Sequence, residues 1–180
     1  MKYAFIMNSG TLDPGTYSTL YEDRKNQYYF AAVHSMEMTR QLAKKLAGEG
    51  YDFIDLCGDF DKEKAEDIKK AADGKVQVNY AKYTEEELAR FNALPAIDRY
   101  GIIVLGFDLK EASVWLTLES EEYNTWIALV ADEETAALEA EKMVEHGIHF
   151  IELCGYFTAA KAEKIMGAID HKVPVGYCGA

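Results

Sequence analysis

The chain lacks the residues that build cross-linked or metal-bound frameworks. It has three cysteines, Cys57, Cys154 and Cys178, with no Cys-x-x-Cys spacing. An odd count without that spacing excludes a disulfide scaffold and a finger-type metal site. Four histidines are present, His34, His146, His149 and His171. His146 and His149 straddle Gly147, a helix stop, so they share no helix face and no metal site is expected. No Ser/His/Asp or Cys/His arrangement is recognisable, and the sequence names no cofactor. No apolar run approaches the roughly 18 residues needed to cross a bilayer. The opening MKYAFIMNSG holds too short an apolar stretch for a signal-peptide core and reads as a strand. No membrane partner is expected, and the cytoplasm is the default location.

Positive charge is also scarce. Lys and Arg number 19 against 31 Asp and Glu, for a net charge of −12. A surface of that sign repels phosphate backbones, so nucleic acid is not expected as a partner. Solubility is the plainest role of the acidity. Residues 1–97 carry −3 of the total and the remainder −9.

What the chain does have is one stretch twice. Residues 53–60 read FIDLCGDF and residues 150–157 read FIELCGYF. The offset of 97 residues holds without gaps from 50–81 against 147–178, with 17 identities in 32 positions. At the same offset YAFI at 3–6 falls on YGII at 100–103. The period exceeds that of solenoid repeats and marks a domain-sized duplication. It gives one copy over 1–83, a connecting helix or linker over 84–98, and a second copy over 99–180. Units of about 80 residues are marginal alone, so the copies are expected to pack on each other.

Hydrophobic patterning places strands at 3–7, 28–33, 53–57 and 76–80, with counterparts at 100–105, 126–130, 150–154 and 173–177. Segments 16–23 and 114–118 stay open between helix and strand. Ser35, Asp61, Asp132 and Thr158 each offer a helix N-cap, and Gly50 and Gly147 offer stops. Thr84-Glu85-Glu86-Glu87 spells a capping box that opens the connecting helix, which Pro95 ends. Strands alternating with helices imply right-handed βαβ units and mostly parallel sheets. The expected fold is two tandem α/β units packed with pseudo-two-fold symmetry. The alternative is one small βα barrel built from two four-strand halves.

Sites in parallel α/β sheets form at the carboxyl ends of strands, beside helix N-termini. Cys57-Gly58 and Cys154-Gly155 fall there. Glycine allows close backbone approach, and a helix start can lower a thiol pKa. The plain reading is that cysteine is a small buried hydrophobe and Gly58 only makes the turn. Asp55 and Glu152 lie inside apolar strands, where a carboxylate is costly unless paired, hydrogen-bonded or wet. Alternation puts each on the face of the following cysteine. Cys154, Glu152, Cys57 and Asp55 are therefore the catalytic candidates. Gly155, Tyr156, Thr158, Gly58, Asn8 and Ser9 are the ligand-binding ones. Asp59, Asp61 and Glu63 crowd the first turn, whereas Tyr156, Thr158, Ala159 and Ala160 leave the second open to an anion. Lys64 and Lys161 match at the offset and read as solvated helix residues.

The run FIELCG followed by VPVGY, clearest over 147–177, resembles a small uncharacterised bacterial family, a domain of unknown function. In the first copy the ending is VQVNY, without the Pro and Gly. The opening YAFIM with Asp13-Pro14 is similar to the family's start. The resemblance implies no activity. It implies that single-unit relatives dimerise and that this chain is a fused version, either a pseudo-dimeric monomer or a homo-oligomer. Two functions stay open: a small-molecule-binding protein or small enzyme with its site at the Cys-Gly turns between the repeats, and a non-catalytic assembly or regulatory module.

Overall fold

A computed structural model describes residues 1–180. The chain divides into two compact units, Met1–Tyr80 and Ala81–Ala180. Each builds its own open five-stranded sheet, so the single barrel is not formed.

In the first unit the apolar run near the start becomes β1 (Lys2–Asn8), with its five central residues buried. It is followed by β2 (Ser18–Glu22), β3 (Gln27–Val33), α1 (Met36–Gly48), β4 (Phe53–Leu56), α2 (Lys62–Ala71) and β5 (Gln77–Tyr80). The order is β2-β3-β1-β4-β5. β1, β3, β4 and β5 are parallel, and β2 runs antiparallel to β3 at the edge. The 16–23 segment is thus a strand. Its turn is closed by the Asp23 carboxylate, which accepts from the N–H groups of Lys25 and Asn26 at 2.8 Å each.

Local signals explain the helices. Ser35 accepts from the Met38 N–H at 3.2 Å, and Asp61 accepts from the Lys64 N–H at 2.9 Å. α1 stops where Gly50 takes φ +78°. The Gly50 N–H then bonds Ala47 O at 3.2 Å and the Tyr51 N–H bonds Leu46 O at 3.0 Å. That paired closure needs a left-handed residue, which glycine supplies without strain.

The second unit begins with α3 (Glu85–Asn92), followed by β6 (Arg99–Leu105), β7 (Ser113–Glu119), β8 (Asn124–Val130), α4 (Glu133–Glu145), β9 (Phe150–Leu153), α5 (Ala159–Ala168) and β10 (Val175–Tyr177). Its order, β10-β9-β6-β8-β7, repeats the first sheet strand for strand, with β7 antiparallel at the edge. The register repeats too: Tyr3 sits beside Phe53, and Tyr100 beside Phe150. α4 packs tightly on one face, because a Cβ on Gly101 would lie 2.8 Å from Met143 Sδ. α3 lies on the other face, where Phe91 meets Phe150 edge-on at 5.0 Å.

The 84–98 segment is packed into the second unit. Thr84 caps α3 by accepting from the Glu87 N–H at 3.2 Å. The other half of the expected capping box does not form. The Glu87 side chain is buried and turns to the sheet edge, accepting from the Val175 N–H at 2.8 Å. It also meets Arg90, and lies 3.2 Å from His171 Nδ1. An unpaired edge N–H is a costlier orphan to bury than the exposed end of a short helix. No helix is long and apolar enough to cross a membrane.

Candidate functional site

The strand order sets where a site belongs. In the first unit the chain leaves β1 in one direction, to β2 and then β3, and leaves β4 in the other, to β5. Neighbouring strands whose exits diverge open a crevice at their carboxyl ends. The residues there are Asn8 and Ser9 after β1, and Cys57, Gly58 and Asp59 after β4. In the second unit they are Leu105 and Gly106 after β6, and Cys154, Gly155 and Tyr156 after β9. The Cys-Gly turn therefore flanks the switch point in both sheets.

The cysteines have the same job twice. The Asn8 N–H donates to Cys57 Sγ at 3.1 Å, and the Leu105 N–H donates to Cys154 Sγ at 3.3 Å. The residue exposures are 6% and 3%. Each sulfur ties off the end of the neighbouring central strand. The next residue is fixed identically: Ser9 N–H to Val33 O and Gly106 N–H to Val130 O, both 2.8 Å.

Beyond that shared frame the rims differ. In the first unit Asn8 Nδ2 reaches across to Asp59 at 3.2 Å, and Lys64 Nζ donates to Asp59 O at 2.9 Å. Ser9 Oγ accepts from the Leu12 N–H at 2.8 Å and holds the loop. In the second unit Thr158 occupies the N-cap of α5, but its side chain makes no cap hydrogen bond and no acid lies in the first turn. Lys161 lies over the Tyr156 ring at 3.3 Å. It also pairs with Glu133 at 3.3 Å, which Lys164 shares at the same distance. Interaction with Tyr156, with support from Glu133, holds the Lys161 pKa above its usual value. The hydrogen bond from Lys164 holds the Glu133 carboxyl below the usual range. Phe107 and Tyr156, on the two loops of this rim, are exposed aromatics at 50% and 38%.

The two strand acids lie deeper. Asp55 and Glu152 are 0% and 1% exposed. Tyr3 donates its hydroxyl to Asp55 Oδ2 at 2.8 Å, and Asn79 donates to Oδ1 at 2.7 Å. Tyr100 donates to Glu152 Oε2, and Tyr83 donates to Oε1 at 2.7 Å. The acids accept from side-chain hydroxyl and amide donors, and the thiols accept from a strand-end N–H.

The candidate residues thus fall into two sets in each unit. One is a rim of Asn8, Ser9, Gly58 and its counterpart Gly155, Tyr156 and Thr158. The other is a buried acid–tyrosine pair. Sequence reasoning missed the partners. Tyr3 and Tyr100 match at the 97-residue offset, and that was the available signal. Lys161, a helix residue expected to be solvated, packs on an aromatic ring. Nothing in the local sequence marks Tyr83, which lies 69 residues from its acid.

A family described as a family of unknown function, DUF6506, matches residues 1–96 and again residues 98–180. No curated protein matches the chain. Among solved structures, an ABC transporter solute-binding protein from Conexibacter woesei DSM 14684 is 11% identical with a TM-score of 0.30, over 97% of this chain and 69% of that one.

Proposed function

The chain belongs to the DUF6506 family, which it contains in two tandem copies, and we propose from that premise that it binds a small molecule at the carboxyl edge of a sheet. One observation carries this reading. The duplicated Cys-Gly turn flanks the topological switch point in both units, where open α/β sheets hold their ligands. Of the two rims, the second is the better anion seat. α5 starts without a side-chain cap or an acid, so its first N–H groups and the helix dipole favour negative charge. Lys161 adds a cation beside Tyr156. The first rim is lined by Asp59 and capped by Asp61. Gly155, Tyr156, Thr158 and Lys161 are the contacts of this reading, and Gly58, Asn8 and Ser9 form the weaker counterpart. The buried cysteines favour reversible binding over covalent chemistry.

A second reading, a non-catalytic assembly module, is favoured by the burial of both acids and both thiols. The repeats 1–83 and 99–180 then serve as packing units joined by 84–98. Either way we take the protein to be cytoplasmic, in keeping with its free cysteines, and not a binder of nucleic acid, in keeping with its charge of −12.

The test is titration with inorganic phosphate and with small dicarboxylates, read by thermal unfolding and by amide shifts at Gly155 and Thr158. At a ligand concentration near 100 Kd the stabilisation is about 2.7 kcal/mol. Thr158→Asp gives α5 the cap it lacks. It is expected to raise stability by about 1 kcal/mol while abolishing the response to anions. Rising stability with an unchanged anion response rejects the seat. No response to any anion in the wild type favours the assembly reading.

A further inference from the structure

We propose that the seat of Tyr83 in the second unit is a second ligand site, shaped for a planar ring bearing a hydroxyl, with segment 81–96 as its built-in occupant. The seat is defined by a missing side chain. A Cβ on Gly176 would lie 2.7 to 3.1 Å from three atoms of the Tyr83 ring. Gly176 neighbours Glu152 in the β9–β10 register. The phenol enters that gap and donates to Glu152 Oε1 at 2.7 Å. Tyr100 donates to the other oxygen. Phe91 flanks the Tyr83 ring at 5.3 Å, and Phe150 stacks on Tyr100 at 4.5 Å. The seat therefore has aromatic walls and a buried carboxylate that accepts a hydroxyl.

The first unit shows what a fixed version looks like. There the position equivalent to Gly176 is Asn79, which donates to Asp55 directly from its own strand at 2.7 Å. Acid and tyrosine are kept in both copies. The second donor changes, from a strand residue to one delivered by a segment outside the sheet. The family match to the second copy begins at residue 98. Tyr100, Glu152 and Gly176 lie within it, whereas Tyr83 lies in the match to the first copy, residues 1–96. The gap in the second copy is thus filled by a residue from the end of the first match.

The occupant is tethered by contacts that a free ligand leaves to be broken separately. Lys82 and Tyr177 exchange two backbone hydrogen bonds of 2.9 Å. Lys82 Nζ donates to Gly179 O at 2.6 Å, and Glu87 holds the Val175 N–H. Leu88 of α3 points outward, 46% exposed. A free phenol replaces the Tyr83 hydrogen bond and ring contacts in kind, so the exchange costs the remaining tethers and the ligand's own lost freedom of motion. A built-in competitor lowers the apparent affinity by the fraction of time it leaves the seat.

The experiment uses the full-length chain with 4-methylphenol as the probe and toluene as the control that lacks the hydroxyl. The probe is uncharged, so its result is separate from the anion test at Thr158 and Lys161. In Tyr83→Gly, 4-methylphenol is expected to raise the melting temperature and to bind at least tenfold tighter than to the wild type, with toluene inert. In the wild type, saturating 4-methylphenol is expected to speed tryptic cleavage at Lys82 and Arg90 several-fold. In Gly176→Asn, which fills the gap as the first copy does, the probe is expected to have no effect. A folded Tyr83→Gly that ignores the probe overturns the proposal, as does an equal response to toluene. Wild-type cleavage unchanged at saturation also overturns it, because the gap is then only a mutational cavity. If Tyr83→Gly does not fold, the wild-type cleavage result decides alone.

Discussion

Replacing Tyr3 by phenylalanine tests the buried acid–tyrosine pair with least disturbance. The ring stays, so its tilted contacts with Tyr28 at 6.1 Å and Phe30 at 6.3 Å are kept and no cavity opens. Only the hydroxyl bonded to Asp55 at 2.8 Å is lost. Asp55 is 0% exposed, so water does not replace the donor. Leaving a buried acceptor without its donor costs about 1–3 kcal/mol. The expected loss is therefore about 2 kcal/mol, up to a 30-fold rise in opening. Because the two units need not unfold together, a single melting curve is ambiguous. Amide hydrogen exchange at Ile6 and Leu56 reads the first unit directly. Adding Asp55→Asn to Tyr3→Phe closes a double-mutant cycle, with a coupling of about 1–2 kcal/mol expected. A loss below about 0.5 kcal/mol, or no coupling, refutes the assignment of Tyr3 as a structural donor to Asp55.

Two further predictions concern pH. Glu139 accepts from Ser113 at 2.7 Å, Trp115 at 2.6 Å and Lys142 at 2.9 Å. Burial pushes its carboxyl up, but these donors outweigh that and hold it below its ordinary 4.5. A depressed folded pKa stabilises above the unfolded value and loses that contribution as pH falls through the folded one. Acid melts of Glu139→Gln are therefore expected to be flatter below pH 4.5 than those of the wild type; parallel curves reject the role. Tyr51, by contrast, is pushed up to about 12 by burial, with the Glu49 charge adding. Its neutral form is favoured in the fold, so the contribution is intact below pH 10 and is lost as pH rises toward about 12. Tyr51→Phe is expected to remove this part of the alkaline loss, as read by melts between about pH 9 and 11.

Much of the fold was legible because its signals are local. Ser35, Asp61, Thr84 and Asp132 all cap as the spacing implies, and Gly50 and Gly147 take the positive φ of a helix stop. The antiparallel edge strands β2 and β7 were not legible. β2 is nowhere fully buried, so it carries no clean alternation, and only its pairing with β3 makes it a strand. Asp55 and Glu152 were legible as acids in need of partners, because burial of an unpaired carboxylate is costly. The identity of the partners was not, because each donor comes from another strand or from outside the sheet. Glu87 was misread for a related reason. A capping box and an inward-turned acid have the same four-residue spelling, and only the unpaired Val175 N–H distinguishes them.

The copies agree and differ in a pattern that follows from sheet geometry. Tyr3 and Asp55 lie on the adjacent strands β1 and β4, and Tyr100 and Glu152 on β6 and β9, away from the sheet edges. A side chain there has neighbours on both sides, so changing one member leaves the other stranded. The third corner lies on the edge strand. There the first copy has Asn79 and the second Gly176, where a residue from outside the sheet makes the hydrogen bond instead. The same holds at the opposite edge. Leu42 of α1 is matched by Glu139 of α4, which bonds to Ser113 and Trp115 of the edge strand β7. Edge positions tolerate such exchanges because one flank is unconstrained by a neighbouring strand. Differences in what the two copies bind should therefore arise at β5 against β10 and at the rim loops, with the central acid–tyrosine pair as the common frame.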